Sequence, residues 1–254
     1  MQPMMQHLYI VTGASRGMGL AIARQLLQPG HTLLCISRTD QPALALSAHD
    51  AGATLLQWRH DLADSGMLCS QLEKWLCEQR AAGWASATLI NNAGVIADIG
   101  PLSDVKPNAL AQALRVGLEA PMVLTAAFLR ATQAWPTNRK VLNISSGLGR
   151  RPMASQAAYC AAKAGMDHFS RCVALEEALK PNGAKVCSLA PGVIDTDMQD
   201  QLRSADSAAF PDLDAFVQLK AKGHLMSPDK AARQVLAYLA RLDYGSQPVA
   251  DVRS

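Results

Sequence analysis

Several common signatures are missing from this chain of 254 residues. Its six cysteines, Cys35, Cys69, Cys77, Cys160, Cys172 and Cys187, never form a Cys-x-x-Cys pair. That argues against a metal clamp or a disulfide frame; lying mostly in apolar runs, they read as reduced core thiols of a cytoplasmic protein. The six histidines are scattered without ligand spacing, which leaves no metal site to propose. Aromatic residues make up only 5% and the net charge is only +3, with Arg150-Arg151 the one notable basic pair. A nucleic-acid surface needs a basic stripe interleaved with rings, and none is present. No stretch approaches the ~18 apolar residues of a membrane span. Residues 1–7 carry neither the basic flank nor the apolar core of an export signal. The expectation is a soluble protein that stays in the cytoplasm.

At 49% hydrophobic and 18% charged, the chain suits one globular domain over 1–254 with a single large core and a flexible start at 1–6. A β-rich apolar run at 8–12 meets Gly13-Ala14-Ser15-Arg16-Gly17-Met18-Gly19, then a helical stretch at 20–28 stopped by Pro29-Gly30. Further strands are expected at 31–37, 54–59, 87–91, 141–145, 185–190 and a last one ending at 252, with helices at 64–81, 108–132, 157–179 and 228–242. Strands alternating with helices predict an α/β fold: a doubly wound parallel sheet of Rossmann type in three layers.

Two features carry chemistry. In the first loop Gly13 permits a tight turn, Gly17 lets the backbone approach a phosphate, and Gly19 lets the helix pack close, so helix amides face an anion. In the Ala-rich helix at 157–179, Tyr159 and Lys163 stand four apart and so share one face. A cation held near a phenol favours the phenolate and brings its proton exchange toward neutral pH. Thirteen residues before Tyr159 lies Ser146, at the end of a strand, where sites form in open α/β sheets. Without those neighbours, a Tyr-x-x-x-Lys pair is an ordinary packed ring beside a solvated charge.

Thr12–Gly19, Asn91-Asn92-Ala93-Gly94, Ser146, Tyr159, Lys163 and Pro191-Gly192 together resemble, in order and spacing, the short-chain dehydrogenase/reductase family. The resemblance implies a nicotinamide-dependent oxidoreductase acting on CH–OH and C=O groups. It makes Ser146, Tyr159 and Lys163 catalytic: Ser146 holds the substrate oxygen, Tyr159 donates the proton, and Lys163 lowers the tyrosine pKa while binding the nicotinamide ribose. Ser145 is the alternative serine. It assigns Gly13, Ser15, Arg16, Gly17, Met18 and Gly19 to the pyrophosphate end of the cofactor. Asp61 and Leu62 fall to the adenine, and Asn92, Ala93 and Gly94 to its ribose. Pro191, Gly192, Ile194 and Thr196 fall to the nicotinamide. Asp61 and Thr196 read equally as a turn cap and a helix cap.

The second strand ends Ser37-Arg38-Thr39 without the acid that would bind the ribose 2′-hydroxyl of NAD. Ser37 and Arg38, with Arg16, therefore point to NADP(H), although both arginines can be plain solvated charges. One residue departs from the family pattern. Gly117 stands where an Asn usually holds a helix distortion and a relay water. Pro121 has no N–H for the carbonyl of Gly117, so the distortion is expected to survive, and Gly117→Asn to leave activity similar or higher.

The tail resembles the branch of sepiapterin and benzil reductases. This implies an NADPH-dependent carbonyl reductase for a ketone or vicinal diketone, assembled as a homodimer or tetramer, with 197–226 as a lid. Asp251 either anchors substrate or is a solvated carboxylate in a fraying tail. The alternatives are a 3-oxoacyl-carrier-protein reductase, a generic alcohol dehydrogenase, or a non-catalytic NADP(H)-sensing protein.

Overall fold

Apolar runs bounded by Gly, Pro or Asn make the strands, and the computed structural model describes residues 5–79 and 83–253. Residues 1–4 of the expected flexible start and residue 81, the expected end of the helix at 64–81, lie outside the described residues. The elements run β1 (His7–Thr12), α1 (Gly17–Gln25), β2 (His31–Ser37), α2 (Pro42–Asp50), β3 (Thr54–Arg59), α3 (Ser65–Glu78) and β4 (Ser86–Asn91). The second half adds α4 (Pro107–Leu114), α5 (Ala120–Thr132), β5 (Asn138–Ile144), α6 (Ala157–Ala178), β6 (Lys185–Ala190), α7 (Asp197–Arg203), α8 (Leu213–Ala221), α9 (Pro228–Leu239) and β7 (Val249–Asp251).

All strand pairs are parallel, in the order β3-β2-β1-β4-β5-β6-β7. The order reverses between β1 and β4, and there the strand ends open a crevice. Alternation along β1 sends Leu8 and Ile10 to one face and Val11 to the other. On the first face Leu68, Leu72 and Leu76 of α3, Leu124 and Phe128 of α5 and Val173 of α6 close the core. On the second, Ile22 of α1, Leu44 of α2 and Val235 and Leu239 of α9 do so. The expected three-layer α/β/α architecture is therefore observed. No helix among the described residues is long and apolar enough to cross a membrane.

The thiols depart from the expectation. All six are free, but only Cys35 and Cys187 are buried. Cys77 on α3 and Cys172 on α6 lie on the exposed faces of amphipathic helices.

The helix expected at 108–132 is interrupted by one wide turn, Arg115–Glu119, a π-helix in which the Ala120 N–H bonds to the Arg115 carbonyl. Pro121 cannot bond back to Gly117, so the ladder widens at that point. Small residues let this turn press on α6. A Cβ on Gly117 would lie 3.1 Å from the Ala162 Cβ, and one on Gly165 would lie 2.9 Å from Leu118 Cδ2. Ala162 sits on α6 between Tyr159 and Lys163. The contact argues against the expectation for Gly117: a side chain there pushes on α6, and Ala162 must give by a few tenths of an ångström to admit it. Overpacking costs about 1–3 kcal/mol and the gain in helix propensity returns about 1. Gly117→Ala is expected to be about 1 kcal/mol less stable in denaturant titration, and Gly117→Asn to lower turnover. Unchanged stability and turnover in both would mean that α6 yields without consequence.

Candidate active site

Consecutive residues at the end of β5 grip successive turns of α6. Asn143 Nδ2 donates to Ser170 Oγ at 2.9 Å, Lys163 Nζ donates to the Ile144 carbonyl at 2.6 Å, and Ser145 Oγ donates to Asp167 Oδ1 at 2.5 Å. Ser146 reaches the Tyr159 phenol. On α6, positions 159, 163, 167 and 170 share one face by helical spacing, which is why a single strand end can meet all four. The two serines are thereby told apart. Both line the cleft, but Ser145 is buried with its hydroxyl committed to Asp167, whereas Ser146 is the one paired with the phenol. The Ser146 oxygen accepts the Leu148 N–H at 3.2 Å, leaving its own hydrogen to donate.

Lys163 is 3% exposed; burial lowers its ammonium pKa to about 8, with Asp167 opposing the fall. Its Nζ lies 5.7 Å from the centre of the Tyr159 ring. The expected depression of the tyrosine by the lysine does not dominate. Burial pushes the phenol above its ordinary value, and the counterforce is the hydrogen bond with Ser146. The reason is geometric: the ammonium is turned to the Ile144 carbonyl.

The glycine loop forms a cradle that side chains would fill. Gly13 sits at φ +69° with its Cβ position 2.9 Å from Ala93 Cα, and a Cβ on Gly19 would fall 2.2 Å from the Gly13 carbonyl oxygen. Among the described residues no side chain caps α1, so its first amides face the cleft. These features fit a dinucleotide pyrophosphate. Thr12, quoted in the motif without a role, clamps β1 to β4: its Oγ1 accepts the N–H groups of Asn92 (3.0 Å) and Ala93 (3.1 Å). The Asn92 amide donates to the Thr12 carbonyl at 3.0 Å. Asp61 accepts the Ala63 N–H at 2.9 Å, a turn cap, and still lines the cleft with Leu62.

The cleft measures about 1230 Å³. It brings together every sequence-expected cofactor residue from Gly13 through Thr196, with Ser146, Tyr159 and Lys163. Arg38 is exposed at its rim, beyond β2. Arg16 is instead engaged, donating to Asp197 at the head of α7 at 2.6 Å. Thr196 occupies the cap position of α7, yet among the described residues its side chain makes no cap bond. Ile194 bridges to Met226, fixing the loop after β6 to the segment before α9.

Asp251 is neither frayed nor fully exposed. It ends β7 opposite Ala190, and Arg253 forks it with two 2.7 Å bonds that hold the carboxyl below its usual range. Arg253, which the sequence reading passed over, lines the cleft where Asp251 does not. Asp167 was also missed; its spacing of four from Lys163 was the available signal.

A model of the family described as short chain dehydrogenase matches residues 7–207. A benzil reductase ((S)-benzoin forming) of Bacillus cereus is 37% identical over 226 residues, 89% of this chain and 91% of that protein. A sepiapterin reductase of Xenopus tropicalis is 32% identical over 253 residues, 94% and 93% of the two. A metagenomic short-chain oxidoreductase solved in complex with NADP aligns at a TM-score of 0.71 and 27% identity, covering 96% of this chain and 94% of that one. The family match begins at β1 and runs beyond α7, across the glycine cradle and the β5–α6 junction, so the chain belongs to the short-chain dehydrogenase/reductase family.

Proposed function

We propose that the protein is an NADPH-dependent carbonyl reductase acting on an apolar ketone or vicinal diketone. The observation that carries the reading is the meeting of Ser146, Tyr159 and Lys163 in a cleft whose lining includes Leu148, Pro152, Met153, Leu202 and Phe216. NADPH, when bound, supplies the hydride equivalent. The Ser146 hydroxyl and the Tyr159 phenol both donate to the carbonyl oxygen, the tyrosine passing its proton as charge develops there. A phenol raised by burial stays protonated at neutral pH, as an acid must. Lys163, buried and held by Ile144, offers an ammonium to the ribose and to the developing phenolate. It is charged below about 8 and neutral above, so reductive turnover is expected to fall on the alkaline side of that value.

The cradle of Gly13, Gly17 and Gly19, with Ser15, Met18 and the α1 amides, is assigned to the pyrophosphate. Asp61, Leu62, Asn92, Ala93 and Gly94 are assigned to the adenosine, and Pro191, Gly192, Ile194 and Thr196 to the nicotinamide. Ser37 and Arg38 are assigned to the 2′-phosphate. Arg16, paired with Asp197, would contribute there only by exchanging partners. A diketone is favoured over a pterin because Arg253 must swing off Asp251 before that carboxylate can meet a guanidine-like edge. The segment 197–226 serves as the lid. Large exposed side chains on α3, α5 and α6 (Met67, Met122 and Leu175) and at the end of α6 (Leu179) support a homo-oligomer.

Turnover of benzil, sepiapterin, methylglyoxal and an acetoacetyl thioester, each with NADPH and NADH, tests the reading. Benzil with NADPH is expected to be the best pair. NADPH binding with silence on all four would reject the reductase and favour a cofactor sensor. Tyr159→Phe is expected to lower turnover by roughly 10²- to 10⁴-fold with NADPH affinity nearly intact; retained turnover would remove Tyr159 as the acid. Arg38→Ala is expected to weaken NADPH by roughly 10- to 100-fold, the loss of one charge-assisted contact, and NADH little. Equal losses for both would assign the 2′-phosphate elsewhere.

A further inference from the structure

Asp167 is a carboxylate almost wholly removed from water, 1% exposed, on the face of α6 that carries Tyr159 and Lys163. Three elements converge on it. Ser145 of β5 and Ser188 of β6 both donate to Oδ1, at 2.5 and 2.7 Å. Arg150, from the loop after β5, brings its Nε to 3.6 Å from Oδ2 while its Nη2 donates to the Ala250 carbonyl of β7 at 3.3 Å. Gly149 packs so tightly beneath that a Cβ there would meet Oδ2 and the Lys163 carbonyl, each at 2.9 Å. A buried carboxylate is costly unless its bonds are satisfied. Packing alone would be served better by an apolar side chain.

We propose that Asp167 is a positioning residue of the active site: its buried carboxylate holds Lys163 as an ammonium, and Arg150 sets how strongly it does so. The proposal rests on Lys163 belonging to the active site. The two acidic and basic neighbours act in opposite senses. Asp167 stands one helical turn from Lys163, and its negative charge offsets the burial that would otherwise discharge the amine. Arg150, ion-paired to the far oxygen, draws part of that field away. Other groups face the cluster: Tyr159 and Cys160 on α6, Cys187 on β6, Tyr238 on α9, and the paired Asp251 and Arg253 at the end of β7. The thiol of Cys187 is pushed up to about 12 and both phenols are raised, so these three carry no negative charge near pH 7, and Asp251 is paired with Arg253.

The test reads the titration of Lys163 directly, by NMR of the full chain with 13C at lysine Cε, the signal being assigned by its loss in Lys163→Met. In Asp167→Asn, which keeps an acceptor for the serines, the midpoint is expected to fall by about one pH unit. In Arg150→Gln it is expected to rise. Opposite shifts are not the signature of a merely structural contact. An unmoved midpoint in Asp167→Asn, or shifts of the same sign in both, would overturn the proposal. Should Asp167→Asn fail to fold, Arg150→Gln decides alone: a rise supports the proposal and no shift rejects it. The alkaline limb of the pH–rate profile, measured in parallel, separates the two readings. Shifted titrations with an unmoved limb would leave Asp167 controlling Lys163 while removing Lys163 from the reaction.

Discussion

Lys163 is a cation with 3% of its surface exposed, and the surroundings of α6 are arranged to keep it there. An ammonium taken out of water is destabilised by several kcal/mol unless charge and hydrogen bonds replace its hydration. The carbonyl of Ile144 supplies the bond, and Asp167 one turn along supplies the charge. Because Asp167 is itself buried, it requires Ser145, Ser188 and Arg150. That chain of requirements joins β5, β6 and the loop after β5 to one helix face, and Arg150 extends it to β7. The site is therefore held by hydrogen bonds to Asp167 Oδ1 at the carboxyl edge of the sheet, while Oδ2 makes no hydrogen bond among the described residues and relies on the 3.6 Å ion pair with Arg150.

Close approach is the second condition, and small residues meet it. Gly117 against Ala162, Leu118 against Gly165, and Gly149 against the Lys163 carbonyl bring α6 within contact of the wide turn on one side and the strand-end loop on the other. Helix α6 cannot shift toward either without collision. The same device works at the cofactor end, where Gly19 lies against the Gly13 carbonyl and Gly13 against Ala93, so that the cradle is shaped by backbone.

Much of this was legible in the chain. Strands β2, β3 and β6 fall where apolar runs meet Gly, Pro or Asn, and the glycine loop and the 159/163 pair needed only spacing to be read. What local pattern could not carry was pairing at a distance. Arg16 meets Asp197 across 181 positions, so a residue read as a phosphate ligand is found holding the head of α7. The fork of Arg253 on Asp251 is near in sequence, yet it matters only because β7 places it at the cleft wall. Helix α2 was missed because 42–50 pairs a start at Pro42 with a weak apolar stripe, only Leu44 and Ala48 being buried. The direction of the Tyr159 shift depends on burial, which spacing does not report.

The segment over the cleft is attached unevenly. Three of its ion pairs, Arg16 with Asp197, Lys220 with Asp195 and Arg203 with Asp200, each have at least one well-exposed partner, and pairs of that kind contribute about 0–1 kcal/mol. Phe210, in contrast, is fully buried with its ring centre 5.5 Å from that of Phe216 in a tilted contact, and Ser155 donates to the adjacent Ala209 carbonyl at 2.6 Å. Burying one such ring contributes roughly 1.5–3 kcal/mol. The strong point of this segment thus lies beside the start of α6, close to Tyr159, while its heads are held by bonds that water and salt weaken. If this segment is the lid proposed above, exchange of its surface pairs would let it open with the apolar anchor intact, leaving the junction of Ser146, Tyr159 and Lys163 undisturbed.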